Sequence, residues 1–271
     1  MTKNPYEAAI KATGATIVQV ALKPEDNFQL RLETLEQAIT PRTKALMLNS
    51  PHNPSGQVID RDTWEGIAKL CQQHDLWLVS DEVYAELVFD GEHICPATLP
   101  GMAERTVVVN SLSKSHAMTG WRLGWVVAPQ NMINHLFNLS LCMLYGCPPF
   151  LQDAALNALT NPPDELAAMK AAYRNRRDTV CEALAASDLV SAVRPAAGMF
   201  LLVDIRPTGL SAKSFSQKLL DGYNVSVLSA EAFGPSGAGF VRLSLTVDEA
   251  QLQVACQRLV ACAQAHAVAN A

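Results

Sequence analysis

Short apolar runs at residues 16–20, 45–48, 76–79, 106–109 and 125–128 are separated by stretches with helical periodicity, and this alternation limits the fold more than any other feature of the chain. Continuous apolar runs of that length suit strands buried on both faces, as in parallel sheets. Between the second and third runs, Trp64, Ile67, Ala68 and Cys71 recur at i, i+3, i+4 and i+7, which places them on one face of a helix over residues 61–74. Strand and helix alternate in this way to about residue 130. The pattern predicts an α/β layered domain whose mostly parallel sheet is covered by helices.

Beyond residue 130 the character changes. Residues 130–187 read as mostly helical, broken at Pro148-Pro149 and Pro162-Pro163, with Arg174, Arg176, Arg177 and Asp178 on a polar helix face. Residues 199–203, 225–228 and 240–245 read as strands. A closing helix begins near Thr246-Val247-Asp248-Glu249, a capping-box pattern, with Leu252, Ala255, Cys256 and Leu259 as its apolar face. The expected organisation is a large domain over residues 1–165 and a smaller C-terminal α+β domain over residues 166–271.

Composition excludes several classes. With a net charge of −5 and no basic block, nucleic acid is not expected as the main partner. No apolar stretch approaches the roughly 20 residues of a membrane span, and the start of the chain lacks the pattern of a signal peptide. The 7 cysteines are odd in number and form no C-x-x-C pair, so neither a disulfide framework nor a metal site is expected, and reduced thiols in a cytoplasm fit best.

In an open α/β sheet, ligands bind beyond the carboxyl ends of the strands. The residues just after each apolar run therefore matter most. Residues 45–48 lead into "NSPHNPSG", which carries Asn53. Residues 76–79 lead into "SDEVY", which carries Asp81 and Tyr84. Residues 106–109 lead into "NSLSK", which carries Ser111, Ser113 and Lys114, and Arg122 comes next between Gly120 and Gly124. Each has an ordinary reading alone: a turn, a helix cap, a half-buried aromatic, a surface charge. Together they have complementary chemistry. A lysine amine attacks a carbonyl to form an imine. A carboxylate holds a pyridine nitrogen protonated, so that the ring accepts electrons. Tyrosine and asparagine can bond a phenolate oxygen, and two serines with an arginine suit a phosphate ester. These are the needs of pyridoxal 5'-phosphate.

The segments "NSPHNPSG", "SDEVY" and "SLSKSHAMTGWRLG" resemble the class I/II aminotransferases, pyridoxal-phosphate enzymes of fold type I, over nearly the whole chain. The resemblance implies that Lys114 is the imine lysine and proton carrier, with Asp81 on the pyridine nitrogen. Tyr84 and Asn53 would contact the phenolate oxygen, and Ser111, Ser113 and Arg122 the phosphate. "VRLSL" is similar to the segment that binds the substrate carboxylate, which falls on Arg242, and the resemblance implies that Asn53 binds substrate as well. Within the family, "GMFLLVDIRPTGLSA" and the wording around Asp81 and Lys114 look most like arginine–pyruvate transaminases. A homodimer acting on an amino acid and a 2-oxo acid is implied.

The family's usual chain begins earlier than this one. Its N-terminal arm, a glycine-containing phosphate loop and an aromatic that stacks on the cofactor are expected to be missing. On that expectation the chain binds cofactor weakly and exposes a sheet edge and apolar helix faces. Two alternatives stay open: a pyridoxal-phosphate β-lyase on the same fold, and a catalytically weak chain that acts by pairing with another. A dinucleotide-binding dehydrogenase lacks support, since no G-x-G-x-x-G is present.

Overall fold

The computed structural model describes residues 5–161 and 164–267. In chain order these form α1 (Pro5–Ala12), α2 (Leu32–Ala38), β1 (Ala45–Asn49), α3 (Arg61–Gln73), β2 (Trp77–Asp81), β3 (Thr106–Ser111), the single-turn α4 (Leu112–Ser115) and β4 (Gly124–Val127). Next come α5 (Gln130–Leu144), α6 (Pro149–Thr160), α7 (Glu165–Leu184), β5 (Ser191–Val193), β6 (Phe200–Asp204), α8 (Ala212–Tyr223), β7 (Leu228–Ser229), β8 (Phe240–Ser244) and α9 (Glu249–His266). Over its described residues the chain divides into two compact units: Met1–Gln29 with Asn53–Gln57 and Ala171–Ala271, and Leu30–His52 with Val58–Lys170.

The second of these holds a sheet of order β1-β2-β3-β4. β1, β2 and β3 are parallel, with Asn49 beside Asp81 and Asp81 beside Val109. β4 runs antiparallel to β3, and Ser111 pairs with Gly124. The reversal has its cause in the connection: residues 112–123 contain only the one-turn α4 and a 3₁₀ turn at Thr119–Trp121, too little for a parallel crossover. The class is α/β, as the alternation of apolar runs predicts. α3 buries the predicted face, with Trp64, Ile67 and Cys71 fully enclosed, and each large apolar side chain so placed contributes about 1.5–3 kcal/mol. Its first turn is capped by Asp60, whose carboxylate accepts from the Thr63 amide at 2.8 Å. In α5, by contrast, no residue is buried, and Phe137, Leu139, Met143 and Leu144 lie open. Val126 and Val127 on the edge strand β4 are exposed as well.

The other unit is built on an antiparallel sheet of order β5-β6-β8-β7. The first four residues of β6 are all buried, consistent with cover on both faces. Phe28, Leu202, Ala230 and Phe240 form a buried cluster, with Phe28 and Phe240 edge to face at 5.2 Å.

Four sequence expectations change. Residues 16–20 have no regular structure and Val18 is 63% exposed; an apolar run becomes a strand only beside a neighbour that bonds its backbone, and neither sheet reaches it. The strand expected over residues 225–228 shrinks to Leu228–Ser229. α9 is capped by Asp248, which accepts from the Gln251 amide at 2.8 Å, while the Thr246 hydroxyl pairs with that of Ser244 instead. Arg177 is 1% exposed rather than on a polar face: its Nε donates to Asp178 at 2.8 Å and Nη1 to the Pro195 carbonyl at 3.0 Å. Asp178 also accepts from Arg194 at 2.6 Å. The two guanidiniums hold its carboxyl below the usual range against the opposing effect of desolvation. Pro148 and Pro149 do start α6; Pro162 and Pro163 lie outside the described residues.

Candidate active site

In the parallel-sheet unit, the carboxyl ends of β2 and β3 bring six of the predicted residues to one edge. Asp81 ends β2. Its carbonyl accepts from the Ser50 amide at 3.1 Å and from the Asn49 side chain at 3.0 Å, and its Oδ1 accepts from the Val83 amide at 3.1 Å. The carboxylate is thereby turned at the strand end and stays half-buried. Tyr84 is buried and leads into a 3₁₀ turn over Ala85–Leu87. That turn packs against α4, the helix that carries Lys114.

The lysine turn is tightly specified. Ser111 is the N-cap of α4, its Oγ accepting from the Ser113 amide at 3.0 Å. The same hydroxyl lies 2.9 Å from the Ser113 hydroxyl and donates to the Leu123 carbonyl at 2.9 Å. Ser115 is buried and donates to the Ser111 carbonyl at 3.2 Å. A Cβ on Gly124 would stand 2.7 Å from the Asn110 carbonyl oxygen, so this glycine lets β4 approach β3. Gly120 has open space around it and no such role. Because Ser111 pairs with Gly124, Arg122 is carried just past the strand end, to the serine turn. It adopts a left-handed backbone, φ 53°, and its Nη1 donates to the Thr119 carbonyl at 2.7 Å.

Asn53 and Arg242 belong to the other unit. Arg242 lies on β8, an interior strand between β6 and β7, opposite Leu202 and Leu228. Its Nη1 donates to Asn53 Oδ1 at 2.9 Å. Its guanidinium lies over the ring of Phe200, at 5.1 Å, and over that of Phe233, at 4.9 Å. The "NPSG" turn that carries Asn53 is fixed by its glycine: Gly56 has φ +69°, and a Cβ there would meet Pro195 Cβ at 2.3 Å and the Ala197 carbonyl at 2.5 Å. The Ala196 and Ala197 amides donate to the Gly56 carbonyl at 3.0 and 2.9 Å. Just before the turn, burial pushes the His52 imidazole down to about 4, which keeps it neutral at pH 7.

Phe200 and Phe233 are absent from the sequence reading. Each reads as an ordinary core aromatic, and only the packing shows the arginine against both rings. The donor set suits pyridoxal phosphate: a carboxylate for a ring nitrogen, a phenol, an amine, and hydroxyls with a guanidinium for a phosphate. Among the described residues no cluster of three or more potential ligands could hold a metal, and no helix is long and apolar enough to cross a membrane.

The chain belongs to the class I and II aminotransferases, whose family model matches residues 4–259. It is 58% identical over 258 residues to the arginine–pyruvate transaminase AruH of Pseudomonas aeruginosa, covering 95% of this chain and 66% of the relative. It is 37% identical to the aspartate/prephenate aminotransferase of Thermus thermophilus, over 93% of this chain and 65% of that one. Among solved structures, an aspartate aminotransferase from Thermus thermophilus with maleate superposes with a TM-score of 0.90 at 35% identity, over 95% of this chain and 67% of that one. The chain thus spans about two thirds of the length of the curated relatives it matches.

Proposed function

We propose that the chain acts in pyridoxal-phosphate-dependent transamination, moving an amino group from an L-amino acid, arginine, to a 2-oxo acid, pyruvate. The observation that carries the reading is the sheet edge at which Asp81, the Tyr84 turn and the Lys114 turn with Ser111, Ser113 and Arg122 come together. The choice of donor and acceptor is supported by the 58% identity to an arginine–pyruvate transaminase. When bound, the cofactor supplies an electron sink for the charge left at a deprotonated substrate carbon.

Each role rests on the chemistry of its side chain. Lys114 attaches the cofactor through its amine and then holds the proton exchanged at the substrate α-carbon. Asp81 keeps the ring nitrogen protonated, and Tyr84 and Asn53 hydrogen-bond the phenolate oxygen. Ser111, Ser113 and Arg122 hold the phosphate, Arg122 with a planar donor fork. Arg242, oriented by its two phenyl rings and by Asn53, takes the substrate carboxylate. A homodimer in the cytoplasm belongs to the same reading, the cytoplasm resting on an odd count of 7 cysteines with no C-x-x-C pair.

The test is to add pyridoxal phosphate to the purified chain, record its absorbance, and then supply arginine and pyruvate. The expected result is a protein-bound absorbance band that Lys114→Ala abolishes, with alanine formed. Ammonia in place of alanine would show a lyase. No bound cofactor would overturn the reading.

A further inference from the structure

Glu82 comes after Asp81 in the chain and faces the opposite way. Alternation at the end of β2 puts Ser80 and Glu82 on one side and Asp81 on the other. Glu82 is only 4% exposed, which is costly for a carboxylate without donors. It has two. The Ser80 hydroxyl donates to Oε1 at 3.0 Å, and His93 Nε2 lies 2.8 Å from Oε2. Facing a carboxylate, Nε2 is the imidazole nitrogen that carries the proton. His93 Nδ1 is buried without a partner among the described residues, so the ring's polar contact is spent on Glu82.

The backbone of Glu82 is a junction too. Its amide donates to the Val109 carbonyl at 2.9 Å, in the strand that runs on to Lys114, and its carbonyl accepts from the Ala85 amide at 2.9 Å, closing the turn that holds Tyr84. His93 arrives from the far end of the loop that starts at this turn. The side chain therefore ties both ends of residues 82–93 to one point. An apolar side chain would fill the same space at lower cost in desolvation.

We propose that Glu82 and His93 form a clasp that positions Asp81 and Tyr84. The clasp rests on the functional reading above for its purpose, but not for its existence. The test uses His93→Leu, which removes the donor, and His93→Gln, whose amide can still donate to Glu82. Amide hydrogen exchange is read at Val83, Ala85 and Leu87 in the protein without cofactor, with Ile67 and Leu70 in α3 as reference. His93→Leu should raise exchange in the turn about tenfold and leave α3 unchanged. It should also weaken pyridoxal phosphate binding about tenfold and shift the absorbance band of the bound cofactor. His93→Gln should restore the exchange, the affinity and the band. Unchanged exchange in His93→Leu, or equal damage by both variants, overturns the clasp. If the parent protein binds no cofactor, the functional reading fails, and the exchange comparison alone decides the clasp.

Discussion

Replacing Phe233 with leucine isolates what the ring contributes to Arg242. In the parent the guanidinium lies 4.9 Å from the Phe233 ring and 5.1 Å from that of Phe200, and its hydrogen bond to Asn53 is 2.9 Å long. Leucine keeps an apolar side chain but removes one π face. A cation–π contact is worth about 0.5–2 kcal/mol according to its exposure, and half-buried Arg242 keeps its second ring, so about 1 kcal/mol is the expected loss. If the rings orient the arginine for a carboxylate, that loss falls on substrate binding, and affinity for pyruvate drops about fivefold. The assay is titration of pyruvate into the cofactor-loaded protein, monitored by absorbance, with turnover measured at saturation. Turnover should stay within about twofold, since removing uniform binding leaves the later step unchanged. Phe233→Tyr, which keeps the ring, should bind like the parent. Phe233 also packs against the cluster of Phe28, Leu202, Ala230 and Phe240, so melting curves must accompany the binding data. Unchanged affinity in Phe233→Leu, or a loss confined to turnover, would refute the argument.

Gly56→Ala combines a left-handed backbone with a collision at 2.3 Å, and unfolding in urea should show a loss of about 3 kcal/mol with unchanged slope. Arg122→Lys keeps the charge but loses the planar fork; the dissociation constant of pyridoxal phosphate should rise about tenfold, measured by absorbance titration. His52 gives a pH signature. Its folded value, about 4, lies below the unfolded 6.5, so the neutral form is favoured by folding. That contribution is complete above pH 6.5 and is lost as pH falls towards 4, by at most about 3 kcal/mol. Urea unfolding between pH 7 and 4 should show the drop, and His52→Gln should flatten that part of it.

Much of this was legible because apolar strands end in polar residues. β1, β2 and β3 and the face of α3 come directly from the runs and the i, i+3, i+4, i+7 spacing, and so does the sheet edge that carries Asp81 and Lys114. Periodicity could not separate residues 16–20 from a true strand, because strand formation depends on a partner that sequence spacing does not supply. Arg177 reads as part of a polar helix face, but in the fold Asp178 and the Pro195 carbonyl satisfy it in the interior. The direction of β4 depended on how little helix lies between it and β3. Phe200, Phe233, Glu82 and His93 carry no signal in the sequence for a related reason. An aromatic or a charged residue is informative only through what it touches, and their contacts join separate segments: Arg242 and Phe200 lie 42 residues apart.

The open apolar side of α5 has a practical consequence at the bench. A helix with none of its residues buried presents water with a surface that sulfate, excluded from protein, drives together. Salting-out should begin at lower ammonium sulfate than the chain's net charge of −5 suggests. Retention on a phenyl resin should be strong, and replacing Phe137 and Leu144 with glutamate should shorten it.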